Sequence, residues 1–189
     1  MTERTCAGGS APVALAGWDS VLSAYAAGVT LVTIADGRDD IGTTVSAFCP
    51  VSLDPPLVLI SLLGTSYPAE LLGTDSGGGD SGGADSGESA PHDGAGAPGA
   101  GGGAAAGRFA VCVLAADQRM LAGRFAAAGR PNARRMLDAV RLAALECEVA
   151  QRVPAGDHLV LIARVLAVPY LAPSGEPLVR FRGRYPSLY

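Results

Sequence analysis

Residues 43–62 read TTVSAFCPVSLDPPLVLISL. Two β-branched or apolar stretches flank a proline pair. We read a strand over 42–48, a loop through Pro55 and Pro56, and a second strand over 57–63. A proline has no amide donor, so it belongs at the entry of a strand and not inside a ladder. The first stretch also carries three small hydroxyls, Thr43, Thr44 and Ser46, spaced so that Thr44 and Ser46 share one face of a strand.

Working outward, Trp18, Leu22 and Tyr25 stand at helical spacing, and the helix is expected to end at Gly28. GVTLVTI (28–34) is a short β-branched strand, and the Asp-Gly of ADGRDD (35–40) marks a turn. YPAELLG (67–73) is a short helix. RFAVCVLA (108–115) is a strand, and ADQRMLAGRFAA (116–127) a helix with Met120, Leu121 and Phe125 in register. LAALECEVAQRV (142–153) and HLVLIARVLAVPYL (158–171) are strands joined by the turn PAGD, with a bend or an edge at Pro169. LVRFRGRY (178–185) alternates apolar and basic residues, as a half-buried strand does. Seven short strands with two clear helices predict a mainly β fold, a barrel and not a βαβ sheet.

Composition narrows the function classes. The chain has 189 residues, with 14 basic residues, all Arg, against 18 acidic. Of its 26 glycines, 13 fall within residues 74–107, together with five acids and no Arg. That segment is too poor in apolar side chains to offset its ordering entropy and is read as a disordered insertion. The remainder carries 14 basic and 13 acidic residues. A nearly neutral body argues against a nucleic-acid partner. Residues 1–16 read as a flexible tail without the apolar run of a signal peptide. No apolar run approaches the roughly 18 residues of a membrane span, so no membrane partner is expected and the location is read as cytoplasmic. Of the two His residues, His92 lies in the Gly-rich segment, which leaves His158 and no metal cluster. The four Cys form no C-x-x-C pair, and Cys49, Cys112 and Cys147 read as buried free thiols.

Four blocks resemble one family, the short flavin reductases with an FMN-binding split barrel. They are AAGVTLVTI (26–34), TTVSAFCPVSLDPPLVLISL (43–62), GRFAVCVLAADQRMLAGRF (107–125), and LECEVAQRVPAGDHLVLIARVLAV (145–168) with the closing FRGRY (181–185). The second is the most specific. The resemblance implies a mainly β split barrel with a few peripheral helices over 17–189, interrupted at 74–107. It implies FMN or FAD as cofactor, NADH or NADPH as electron donor, a homodimer, and a partner monooxygenase that receives reduced flavin. It places Thr44, Val45, Ser46 and Ala47 along the isoalloxazine and ribityl chain, with Val51 and Ser52 on the next turn. Ser61, Thr65 and Ser66 fall near the phosphate, joined by Arg124 and Phe125 from the helix. His158 and Tyr185 face the nicotinamide or substrate and carry the catalytic assignment. Without the resemblance, Thr44 and Ser46 are equally ordinary strand hydroxyls, Arg124 a solvated cation, His158 a surface residue and Tyr185 a cap on the barrel.

Three departures from the family pattern bear on function. The loop at 129–141 is short and lacks a phosphate-holding segment. Arg130, Arg134 and Arg135 either compensate for that loss or only solvate the loop. The usual Ser/Thr-His-Pro is Ser66-Tyr67-Pro68, and a usual Asn is Cys112. The third is the insertion itself, beside the expected phosphate end. Two functions are therefore consistent with the sequence. One is a reductase of free flavin. The other is a relative that has lost flavin turnover and uses the pocket for another small-molecule reaction, such as a cyclisation in specialised metabolism.

Overall fold

The computed structural model describes residues 17–36, 39–74, 107–126, 132–133 and 141–188. The expected tail, nearly all of the Gly-rich segment, and Arg130, Arg134 and Arg135 lie outside them. The elements in chain order are α1 (Trp18–Ser23), β1 (Ala27–Gly28), β2 (Thr30–Asp36), β3 (Asp39–Val45), β4 (Phe48–Leu53), β5 (Pro56–Leu63), α2 (Tyr67–Gly73), β6 (Arg108–Val113), α3 (Arg119–Ala126), β7 (Ala143–Ala155), β8 (His158–Leu171) and β9 (Val179–Arg180). A 3₁₀ turn at Ala116–Gln118 leads into α3.

Seven strands form one antiparallel sheet in the order β3-β2-β6-β7-β8-β5-β4, and β1 pairs with β9 separately. The chain connects the first and last strands of the large sheet, β3 and β4, through Ser46 and Ala47 alone. A linker that short spans less than about 11 Å even when extended. The sheet must therefore curl until its two edges meet. No ladder joins β3 to β4, so the curled sheet stays open along one seam, bridged where the Ser61 amide donates to the Ala47 carbonyl at 3.0 Å. This is the mainly β, split-barrel architecture expected from the sequence.

Strand alternation fills the inside. Val58, Ile60 and Leu62 of β5, Val32 and Ile34 of β2, and Leu161 and Ala163 of β8 share one core with Ala69 and Leu72 of α2. The opposite face of β2 is buried too. Val29 and Leu31 pack with Leu114, Phe125 of α3 and Leu178 in a second core. Burial on both faces explains why 28–34 is apolar at nearly every position instead of alternating.

Several expectations are corrected. The stretch 49–53, read as part of a loop, belongs to strand β4 (Phe48–Leu53), paired with β5 across a tight turn with a cis Asp54–Pro55 bond. Pro50 is tolerated there because β4 is an edge strand with one side free of partners. Cys49 is consequently exposed, whereas Cys112 and Cys147 are buried. The first helix stops at Ser23, and Ala27–Gly28 is a strand. β9 covers two residues of the expected 178–185 strand. The chain then turns sharply at Arg182 and Gly183, both with left-handed backbone (φ 47° and 71°). Pro169 lies where β8 has outrun β5, whose last partner is Arg164, and within a register irregularity against β7.

Candidate functional site

A cavity of about 930 Å³ opens at the seam between the sheet's two edges. Its size is that of a site for a cofactor-sized ligand. One wall is the end of β3 with the Ser46–Ala47 linker, and it contributes Thr44, Val45, Ser46 and Ala47. The facing wall is the end of β5 and the turn into α2, contributing Ser61, Thr65 and Ser66. Phe125 of α3, His158 at the start of β8, and Tyr185 after the Arg182–Gly183 turn complete the set brought together from the sequence reading.

Local structure fixes these walls. The Thr44 hydroxyl donates to the Ala122 carbonyl at 2.8 Å, tying β3 to α3. Thr30 does the same for the neighbouring register, its hydroxyl donating to the Val45 carbonyl at 2.7 Å. The Ser66 side chain caps α2 by accepting from the Ala69 amide at 3.3 Å. Phe125, 1% exposed, presses its ring edge against Gly42 of β3, where a Cβ would come within 2.5 Å of it. Glycine is required at that position by close approach, not by backbone conformation. Phe125 is thus mainly a core residue that closes the floor of the cavity.

The electrostatics favour an anion. Among the described residues no carboxylate lines the cavity, whereas His158 and Arg180 do. Two acids that touch lining residues are already engaged. The Tyr67 hydroxyl donates to Asp36 Oδ2 at 2.5 Å, and His158 Nδ1 donates to Asp157 Oδ1 at 2.7 Å. The hydrogen bond from His158, helped by its charge when protonated, holds the Asp157 carboxyl below the usual carboxylate range. The same bond commits Nδ1 and leaves Nε2 as the ring's remaining hydrogen-bonding atom.

Three expected site residues do not line this cavity. Val51 and Ser52 lie on edge strand β4, at a bulge between Pro50 and Ser52 that disrupts its pairing with β5. Arg124 is exposed on α3 and lies over the Phe125 ring at 5.5 Å instead of reaching the cavity. Conversely, Arg180 and Gly183 line it and were not singled out, and Tyr67, noted only as a departure from the family pattern, lines it too. The alternation in LVRFRGRY pointed to Arg180 only as one of several exposed cations. The turn that swings it to the seam is a tertiary feature.

Residues 22–75 and 104–189 match the model of the flavin reductase like domain. The chain belongs to that family. The match passes over residues 76–103, within the Gly-rich segment. Among curated flavin-reductase relatives, the chain is 30% identical over 177 residues to the NADH-dependent FMN reductase AsuE2 of Streptomyces nodosus, covering 85% of this chain and 78% of that protein. It is 31% identical over 168 residues to the reductase component of 4-hydroxyphenylacetate 3-monooxygenase of Thermus thermophilus, covering 87% and 90%. It is also 34% identical over 173 residues to the actinorhodin polyketide dimerase of Streptomyces coelicolor, covering 86% and 80%. Among solved structures, the NADH:FAD oxidoreductase SgcE6 of Streptomyces globisporus superimposes with a TM-score of 0.67 at 25% identity, covering 90% of each chain.

Proposed function

We propose that this flavin-reductase-like protein reduces FMN or FAD with NADH or NADPH and hands the reduced flavin to a partner monooxygenase. The observation that carries the reading is the seam cavity. Its hydroxyls, the lack of carboxylates among its described lining residues, and its Arg180 guanidinium and His158 ring suit a planar, hydrogen-bonding, phosphate-bearing ligand, and its size admits one. The relatives named as NADH-dependent reductases and as a monooxygenase reductase component support the same activity.

The residues at hand fit that cofactor. A bound flavin supplies the hydride-accepting chemistry, so the protein needs no strong acid or base of its own. Thr44, Val45, Ser46 and Ala47 would offer backbone groups and small hydroxyls to the ring and ribityl chain. Ser61, Thr65 and Ser66 would line its polar end. His158 and Tyr185 would face the nicotinamide and hold it in register, which is where most of the rate gain in such a site arises. Because Thr44 and Ser66 already hold structure together, their backbone and remaining lone pairs carry the contact. Val51, Ser52 and Arg124 are left out of this assignment.

The domain reading belongs to the same proposal: one split-barrel domain over 17–189, interrupted at 74–107. The family match that skips 76–103 supports it. A homodimer is part of the proposal as well, and it is supported by β8 beyond Arg164, which leaves Leu166, Val168, Tyr170 and Leu171 exposed, an apolar strip of the kind partners cover. A cytoplasmic location is consistent with free Cys112 and Cys147. No helix among the described residues is long and apolar enough to cross a membrane.

The decisive experiment is FMN titration of the purified protein, followed by NADH oxidation with and without added flavin. Quenching of FMN fluorescence and flavin-dependent NADH consumption are expected. Silence in both with FMN and FAD at saturation removes the reductase reading. It leaves the second one, in which the cavity serves another small-molecule reaction, a reading favoured by the relative named as a polyketide dimerase.

A further inference from the structure

We infer that Arg180 is the phosphate anchor of the seam cavity, a role that rests on the cofactor reading above and goes beyond it by naming the group that fixes the nucleotide's anionic end. Arg180 is the sole Arg among the described residues that line the cavity. The helix cation expected for this task, Arg124, stacks on Phe125 instead. Three more of the described arginines are committed elsewhere. Arg108 pairs with Glu148 at 3.3 Å, Arg141 with Asp117 at 3.5 Å, and Arg152 Nε donates to the Leu72 carbonyl at 2.7 Å. Among the described residues the Arg180 guanidinium has no carboxylate, carbonyl or ring partner, and no acid lines the cavity to neutralise it.

Its backbone is held in place. Arg180 pairs with Ala27 in the β1–β9 ladder, and the Val29 amide donates to the Leu178 carbonyl at 2.9 Å just before it. Just after it, Phe181 and Arg184 exchange both backbone hydrogen bonds at 2.9 Å across a two-residue turn. The Arg182 amide pins that turn to the Ser23 carbonyl at 2.7 Å. Arg180 and Tyr185 thus flank the bridged pair, and both reach the cavity. A fixed backbone carrying a free guanidinium beside an acid-free, hydroxyl-lined cavity is the arrangement for bidentate recognition of a phosphate. The phosphate has two possible sources, the monophosphate of FMN and the pyrophosphate of the nicotinamide donor.

The test compares wild type, R180Q and R180K in binding of FMN and riboflavin and in the KM and kcat for NADH. Loss of a charge-assisted contact is expected to weaken the phosphate-bearing ligand about tenfold to hundredfold. R180K should recover part of it, keeping charge without the planar fork. If FMN weakens while riboflavin does not, the flavin phosphate is the ligand. If both flavins hold and the KM for NADH rises at unchanged kcat, the donor's pyrophosphate is. Equal weakening of FMN and riboflavin, or no change in any of the three ligands, overturns the inference. Should wild type bind neither flavin nor NADH, the reductase reading fails by itself. Inorganic pyrophosphate then decides on Arg180: thermal stabilisation lost in R180Q upholds the anchor, and its absence in wild type overturns it.

Discussion

Gly42→Ala is the sharpest perturbation of the site's frame. A Cβ at position 42 would lie 2.5 Å and 2.6 Å from two ring carbons of Phe125 and 2.9 Å from the Ala133 Cβ. The ring cannot yield freely, because Phe125 is 1% exposed and packed in the second core. Relief requires α3 to back away from β3, which stretches the 2.8 Å bond from Thr44 to Ala122. Overpacking of this kind costs about 1–3 kcal/mol. The alanine returns roughly 0.4–1 kcal/mol by restricting the unfolded chain. The net loss is about 1–2 kcal/mol, and at 2–4 °C per kcal/mol for a chain of this size the melting temperature falls by about 2–8 °C. Since Gly42, Phe125 and Thr44 all line the cavity, FMN affinity should fall with it. The check is thermal unfolding followed by circular dichroism on G42A, F125L and the double variant. A leucine lacks the ring edge that the new methyl meets, so the pair should couple favourably by at least about 0.5 kcal/mol. A wild-type or higher melting temperature for G42A, or strict additivity in the double variant, would refute the close-approach argument.

Other consequences are independent of that one. Ser66→Ala removes the cap of α2 and should cost about 0.5–2 kcal/mol, read as a lower midpoint in urea, because the Ala69 amide loses its acceptor. The Asp157 carboxyl should titrate below its ordinary 3.8 by NMR, and His158→Gln should move it back up. The sign follows from linkage: the contribution of this pair, whose carboxylate is exposed, is present above the unfolded value and disappears as pH falls through the folded one. Burial pushes the Cys112 thiol up to about 11 and, with help from the Glu146 charge, the Cys147 thiol up to about 12. Iodoacetamide at pH 8 should therefore modify exposed Cys49 and spare those two, as read by peptide mass spectrometry.

Much of the site was legible along the chain because it is built from strand ends. Thr44 to Ala47 and Ser61 to Ser66 each lie in one continuous stretch, which the resemblance to the family marks; strand pattern alone leaves Thr44 and Ser46 as ordinary strand hydroxyls. The β7–β8 hairpin was legible from local pattern, its Gly156 supplying a left-handed turn (φ 64°) directly before Asp157 and His158. β4 was not. Pro50 and the Pro55–Pro56 pair argue against a strand unless one knows that the strand is the sheet's edge, where a missing donor faces no partner. Arg124 and Arg180 could not be told apart either, since both are exposed basic residues beside aromatic ones. Which of them meets the cavity depends on the tilt of α3 and on a turn that the Ser23 carbonyl holds from another part of the chain.

The amino-acid sequence by itself determined most of the strands, the mainly β class, the family blocks and the hydroxyls of the two cavity walls, all of which follow from short-range periodicity, residue type and motif order. Only the tertiary structure decided that β3 and β4, joined by two residues, are the opposite edges of one sheet. That closure creates the seam; the packing of α3 on β3 makes Phe125 a core residue against Gly42, and the turn held by Ser23 leaves Arg180, not Arg124, among the residues that line the cavity. Each of these depends on atoms far apart in the chain, whose approach no local pattern encodes.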